Sequence, residues 1–285
     1  MRSVGMAAVA ALLWAQAGSA LASGLDSEHL FGLTEGTDIG AAGEREIELE
    51  FAGRGGKRGN AYRALSFATA LKLTITDSFR ASPFFAFDHH RIHGIEGLDD
   101  RNRGSLGVAG MEFKFRALDR TKAPFGLTLG LTPSWGRLDE TSGERVIGYG
   151  ANLFVMADKE LIPGTLLMAV NVGYAPGASR NFATGFWSHD SGFFASAALS
   201  GRIANGVFLA GEVRHERAYG GMGLDRLDGQ AWFAGPSIYA RVGEAAWISA
   251  VWSAQIAGRA KDDLRSLDLT NFERHLLKVR IGIAF

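Results

Sequence analysis

From residue 44 onwards the chain repeatedly alternates apolar and polar residues over about ten positions, which is the pattern of β-strands that cross a membrane. Twelve such segments can be drawn, approximately 44 to 52, 62 to 75, 78 to 88, 104 to 117, 124 to 136, 145 to 157, 165 to 175, 191 to 203, 206 to 216, 229 to 242, 245 to 257 and 273 to 285. Side chains alternate sides with a period of two, so each segment splits into two faces. In the second, Leu65, Phe67, Leu71, Leu73 and Ile75 oppose Ser66, Lys72 and Thr74. In the ninth, Val207, Leu209 and Val213 oppose Glu212, Arg214 and Glu216. Aliphatics against ionised groups imply a lipid-facing wall around a wet lumen.

The connections sort by length. Compact ones fall around Thr76-Asp77, Asp119 to Ala123, Asp158 to Gly164, Ala204-Asn205 and Gly243-Glu244. The alternate set is mostly longer and polar: Gly53 to Ala61, His89 to Arg103, Arg137 to Glu144, Pro176 to Asp190, Arg217 to Asp228 and Gly258 to Phe272. Short periplasmic turns opposite long extracellular loops are the build of an outer-membrane barrel. The expected fold is therefore all-β, a transmembrane antiparallel up-and-down β-barrel of about twelve strands over residues 44–285. Aromatic residues agree with two interfacial girdles. Phe51, Phe87, Trp135, Tyr174, Phe193 and Trp232 fall outward at the extracellular end, and Phe79, Phe115, Phe125 and Phe285 at the periplasmic end.

Composition narrows the function. Thirty Lys and Arg balance thirty Asp and Glu, which gives no electrostatic footprint for nucleic acid. The absence of Cys excludes disulfides, thiolate metal sites and Cys nucleophiles. Arg2, an apolar run from Val4 to Ala15 and the small-x-small site Ala20-Leu21-Ala22 read as a cleaved signal peptide over residues 1–22. Residues 23–43 then form a periplasmic N-terminal segment, and the sequence leaves open whether it plugs the lumen from below.

The last segment ends on Phe285, with Leu277, Val279, Ile281 and Ile283 at alternating positions before it. It resembles the C-terminal assembly signal of Gram-negative outer-membrane proteins, which implies the barrel-assembly machinery as a partner. Five stretches resemble an uncharacterised family of porin-like outer-membrane barrels related to phenol-degradation MetA-pathway proteins. They are His29-Leu-Phe-Gly-Leu-Thr-Glu-Gly-Thr-Asp-Ile-Gly40, Gly97-Leu-Asp-Asp-Arg101, Lys122-Ala-Pro-Phe-Gly-Leu-Thr128, Asp139-Glu-Thr-Ser-Gly-Glu144 and Ala157-Asp-Lys-Glu-Leu161. The resemblance implies fold and location, with outer-membrane lipid and lipopolysaccharide as surroundings, and carries no catalytic residues.

Three patterns invite chemistry. His189 and Ser191 form a His-x-Ser pair that resembles the site of outer-membrane phospholipase A, but the family continues Ser-Asn-Gly where this chain has Ser191-Gly192. A nucleophilic Ser also needs a base oriented by a third group, and no Asn clearly serves. His89, His90 and His93 suggest metal ligands, yet no fixed spacing holds them and a solvated loop is the simpler reading. Gly53 to Gly59 lacks the flanking strand and helix of a phosphate loop, and reads as a hairpin loop whose Arg54, Lys57 and Arg58 face lipopolysaccharide. No catalytic, metal or cofactor residue is assigned.

The expected function is a passive pore for small solutes, with an outer-membrane lipid hydrolase and a non-conducting structural barrel as alternatives. The pore-lining set is Glu48, Glu50, Lys72, Arg80, Glu112, Lys114, Arg116, Glu212, Arg214, Lys278 and Arg280. With Glu46, Asp88, Glu216, Arg202 and Arg241 added, inward bases slightly outnumber inward acids. That excess predicts low conductance and a weak anion preference, carried mainly by Arg80, Lys114, Arg116 and Arg214. Where the ends meet, counting from the periplasmic side sets Glu48 level with Arg280 and Glu50 with Lys278.

Overall fold

The computed structural model describes residues 25–285; the expected signal peptide lies outside the described residues. The chain forms a closed antiparallel barrel of twelve strands, each paired with its neighbours in sequence. They are β1 (Arg45–Gly55), β2 (Gly59–Thr76), β3 (Phe79–Ile95), β4 (Arg101–Leu118), β5 (Gly126–Leu138), β6 (Arg145–Ile162), β7 (Leu166–Asn181), β8 (Trp187–Ala204), β9 (Val207–Tyr219), β10 (Leu227–Val242), β11 (Ala246–Ala260) and β12 (His275–Ala284). β1 pairs with β12, so no sheet edge is left unbonded. One rim carries the tight connections and both ends of the ring, and is called the turn end; the other is the loop end.

The wall is inside-out relative to a soluble protein. Phe51, Leu65, Phe87, Leu129, Leu131, Leu209 and Ile283 are exposed on the outer face, whereas Lys72, Arg80, Lys114, Glu212 and Arg280 are buried within. Burying ionised groups while exposing aliphatic ones is favourable only if the outside is hydrocarbon and the charges find partners. Exposed rings stand near both rims, among them Phe51, Phe87 and Trp232 at the loop end and Phe115 and Phe285 at the turn end.

Two details differ from the sequence reading. The closing ladder is shifted by two residues: Glu48 faces Gly282, Glu50 faces Arg280 and Ala52 faces Lys278. The terminal Phe285 N–H bonds the carbonyl of Arg45, which fixes the register from the chain's last residue. A shift of two preserves the faces. Lys278 therefore still reaches Glu50, diagonally, at 3.2 Å.

The strands also run further towards the loop end than the alternation suggests. The expected connections His89 to Arg103 and Pro176 to Asp190 shrink to 96–100 and 182–186, and Gly53 to Ala61 shrinks to 56–58. His89, His90 and His93 are thus strand residues of β3 rather than loop residues. Above the lipid belt the outward positions become polar, as where Arg63 pairs with Arg91 and Ala61 with His93. Inside, Tyr62, Ala64, Ile92 and Ile95 form a small buried apolar cluster. The pattern inverts there, so hydropathy loses the strand although the ladder continues.

Candidate functional site

The turn-end half of the lumen holds the chain's own N-terminal segment, residues 25–43. It is rich in acids, with Asp26, Glu28, Glu35 and Asp38, and has no Lys or Arg. The inner wall it meets is two-sided. Around β7 to β11 it is apolar, and Leu30 and Phe31 pack there with Leu167, Phe208, Tyr239 and Trp247. Around β2 to β4 it presents Lys72, Arg80 and Lys114, and these meet the segment's acids.

No strand continues into the segment, so its backbone groups must be satisfied by wall side chains. Glu212 accepts from three successive N–H groups, those of Gly32 at 2.5 Å, Leu33 at 2.9 Å and Thr34 at 2.8 Å. Consecutive amides folded around one carboxylate make a small anion nest. Asn171 accepts from Glu35 N–H and donates to Glu35 O. Arg280 donates to Phe31 O, Ser200 to Leu30 O, Thr128 to Thr37 O and Thr74 to Ile39 O. Asp158 accepts from Ser27 Oγ, Thr37 N–H and Thr37 Oγ1. The approach is close enough to require glycine: a Cβ on Gly32 would lie 2.2 Å from Val251 Cβ, and one on Gly126 2.0 Å from Thr37 Oγ1.

The ionic centre is Glu28. Arg80 grips it with both terminal nitrogens, at 2.5 and 2.6 Å, and Lys72 adds a bond at 3.1 Å. Burial alone would push the Glu28 carboxyl up, but Arg80, Lys72 and Lys114 together hold it well below the usual carboxylate range. Burial and Lys72 push the His29 imidazole well below its ordinary value, so it stays neutral, stacked on Trp247 at 3.9 Å. Lys114 reaches Glu35 at 2.6 Å, and Asp38 bridges Arg116 at 3.5 Å and Arg120 at 2.5 Å. His29, Glu46 and Glu48 bring metal-ligating atoms within 4.8 Å of one another. The Lys72 ammonium already sits 3.0 Å from Glu46 and 2.6 Å from Glu48, which fills that position with a cation.

The loop-end half is filled by connections of the barrel itself. Loop 261–274 folds inward: Lys57 donates to Thr270 O at 2.8 Å, and Gln255 donates to Asp268 O and Glu273 O. Loop 139–144 leans in from the opposite side, where His90 Nε2 lies 2.9 Å from Glu140 O and Tyr62 donates to Thr141 O. Between them Arg54 pairs with Glu140, and Arg214 pairs with Glu216 at 3.0 Å while lying over the Phe233 ring.

The sequence-chosen lumen residues therefore fall into two groups. Glu48, Lys72, Arg80, Glu112, Lys114, Arg116, Glu212 and Arg280 gather about the N-terminal segment, and Arg214 lies nearer the loop end; Glu50 and Lys278 form the seam pair. Missed were the segment's own Glu28 and Glu35 and the wall's Asp158, Asn171 and Thr128. Asp158 was assigned to a turn, yet β6 runs to Ile162 and continues the inward series Met156, Asp158. Ser191 is buried and its hydroxyl donates to Gly221 O; among the described residues no hydrogen bond joins it to His189.

The fold and lumen define a closed up-and-down barrel of the outer-membrane architecture. The chain belongs to a family of unknown function, DUF6662, whose model matches residues 23–285. Among solved structures, the COG4313 outer membrane channel from Pseudomonas putida F1 is similar at TM-score 0.60 and 12% identity, covering 87% of this chain and 98% of that one. The NanC porin aligns at TM-score 0.49 and 11% identity over 84% and 98% of the two chains. The KdgM porin aligns at TM-score 0.44 and 9% identity over 84% and 99%. No curated protein matches the sequence.

Proposed function

We propose that the protein is a passive channel for small solutes in the outer membrane of a Gram-negative bacterium, held closed at its periplasmic mouth by residues 25–43. The observation that carries this is how the segment is bonded. A peptide held almost wholly by ion pairs and by side-chain bonds to its backbone, in a lumen lined with charge, can leave at the cost of one backbone bond to the wall, Gly43 N–H to Thr74 O. Twelve strands also fall between the eight whose interior side chains fill and the sixteen or so that leave an open channel. The similarity to a barrel titled an outer membrane channel agrees with this.

The weak anion preference belongs to the barrel without its segment. Arg80, Lys114, Arg116 and Arg214 each have a carboxylate partner here; the first three pair with acids of the segment, and Arg80 and Lys114 share the wall's Glu112 besides. Removing the segment opens those three to the solvent, with the single carboxylate of Glu112 left between Arg80 and Lys114.

Single-channel recording in planar bilayers tests the reading, using the protein exported and processed at its own cleavage site and a version that begins at Glu44. The expected result is rare, small openings for the first and steady conductance with weak anion preference for the second. Absence of conductance from both would identify a structural barrel. Esterase activity that disappears in Ser191→Ala would identify a hydrolase.

A further inference from the structure

At the loop end, outside the plugged half, a cavity of about 300 Å3 is lined by Arg101, Arg103, Glu144, Arg145, Asn181 and Phe182. Its charge follows from a bulge. β3 and β4 pair Ala86 with Val108 and then Phe87 with Leu106, so Gly107 is skipped. Alternation counted from the inward Glu112 and Lys114 would send Arg101 and Arg103 outward. The skipped residue reverses this, and they face the inward Ile92 and His90 instead.

Arg101 and Arg103 are each pinned on one side and open on the other. Arg101 donates to Ser142 O at 2.5 Å and Glu144 at 3.3 Å, and Arg103 makes one long bond, 3.4 Å, to Gly143 O. Arg145 has no side-chain partner among the described residues. The lining's single acid, Glu144, has both oxygens taken, by Arg101 and by Asn181. Guanidinium forks with free N–H groups match the planar oxygens of phosphate or carboxylate. Phe182 stands beside them, 55% exposed, on a loop fixed by its own N–H bond to Arg145 O and by Asn181 Oδ1, which accepts from Ala183 and Thr184.

We propose that this cavity binds a phosphate- or carboxylate-bearing solute with an apolar ring face, the anion on Arg103 and Arg145 and the ring against Phe182. Such an anion is carried by a soluble solute or by a lipid headgroup such as lipid A. Binding is read without conductance, so its failure leaves the channel reading intact and the reverse also holds.

The test is equilibrium binding to the refolded full barrel by calorimetry, with phenyl phosphate and inorganic phosphate as probes. Folding of each variant is checked by heat-modifiable gel migration. Saturable binding of phenyl phosphate, tighter than that of phosphate, is expected. Arg103→Ala and Arg145→Ala should each weaken it about tenfold, roughly 1.4 kcal/mol, and Phe182→Ala should reduce phenyl phosphate to the affinity of phosphate. Arg63→Ala, at the same height on the outer face, should change nothing. In vesicles with lipid A, loss of phenyl phosphate binding would assign the site to the headgroup, and retained binding to a soluble solute. No saturable binding, or equal binding by the folded Arg103→Ala/Arg145→Ala double variant, overturns the proposal.

Discussion

The two halves of the lumen are filled by different means. At the turn end the filling is residues 25–43, which become a chain terminus on the proposed removal of residues 1–22. The segment runs into β1 through Glu44 and is held by ion pairs, by bonds from side chains to its backbone and by one backbone bond from Gly43 to Thr74. At the loop end it consists of loops 139–144 and 261–274, each tethered at both ends to neighbouring strands. A terminus can withdraw as a unit with no closure cost, whereas a doubly tethered loop can only shift. On the proposed channel reading, gating falls to the lower half and a fixed constriction to the upper.

The strongest challenge to that assignment is the version beginning at Glu44. It should conduct severalfold more than the full mature protein. Unchanged conductance would mean that the loop-end constriction limits flow in both. Next in size is Glu28→Gln, which leaves Arg80, Lys72 and Lys114 without their shared acid. Breaking one partner of a buried ionic cluster costs about 3 kcal/mol or more. Thermal unfolding followed by near-ultraviolet circular dichroism should show early loss of the His29–Trp247 stack, and recordings should show more frequent opening. Arg80→Ala should be costly in the mature protein and much less so in the version beginning at Glu44, where Glu28 is gone and only Glu112 remains. Equal costs in both would place Arg80 in the wall's stability rather than in docking.

These same residues show how far the sequence could be read. The strand number, the faces and the closure of the ring follow from alternation, because lipid imposes apolarity on every second residue of each strand. Partnership does not follow. Thr128, Asn171 and Glu212 look like any inward polar residues, and nothing in their spacing says that Thr37, Glu35 or Gly32 will meet them. The five stretches that carried the family resemblance fare better. His29 to Gly40, Lys122 to Thr128 and Ala157 to Leu161 converge at the turn end through Thr37, Thr128, Gly126 and Asp158. Gly97 to Arg101 and Asp139 to Glu144 meet at the loop end, where Arg101 donates to Ser142 O. The orientation of Arg101 and Arg103 was hidden because one bulged residue reverses parity, and hydropathy at two arginines cannot register it.

Acid should remove the Glu35 contribution to the lower half. Burial raises the Glu35 carboxyl, but Lys114 and Arg280 pull it down to about 2 while the segment is docked, from an ordinary value of 4.5. A depressed carboxylate stabilises the docked state above its free pKa and ceases to do so as pH falls through the docked value. The Glu35 contribution to docking is therefore full above about pH 4.5 and is lost between there and pH 2, while Asp26 of the same segment, pushed up to about 7 by burial, opposes docking as pH rises. In an Asp26→Asn background, which removes the opposing group, opening should be more frequent at pH 3 than at pH 7, and adding Glu35→Gln should make opening readier at pH 7 and remove most of that pH response. A full response after adding Glu35→Gln would move the titration to another group. Gly32→Leu sharpens the same half by shape alone, since Val251 leaves no room for a side chain and the folded barrel should be found partly unplugged.

The smallest expected effect lies in the upper half. Lys57→Ala removes the donor to Thr270 O and Phe272 O, while Gln255 still donates to Asp268 O and Glu273 O and Arg274 N–H still bonds the carbonyl of Gly56. Loss of one such anchor costs about 1 kcal/mol, so the loop should loosen without leaving. Hydrogen exchange over residues 261–274 should quicken by roughly fivefold, as a change of that size implies. The conductance of the version beginning at Glu44 should rise slightly. Openings of the full mature protein should stay rare, because no bond of residues 25–43 passes through this loop among the described residues. If Lys57→Ala instead opened the full protein as widely as removal of the terminus does, the upper half would be the gate, and the contrast between a releasable terminus and a tethered loop would fail.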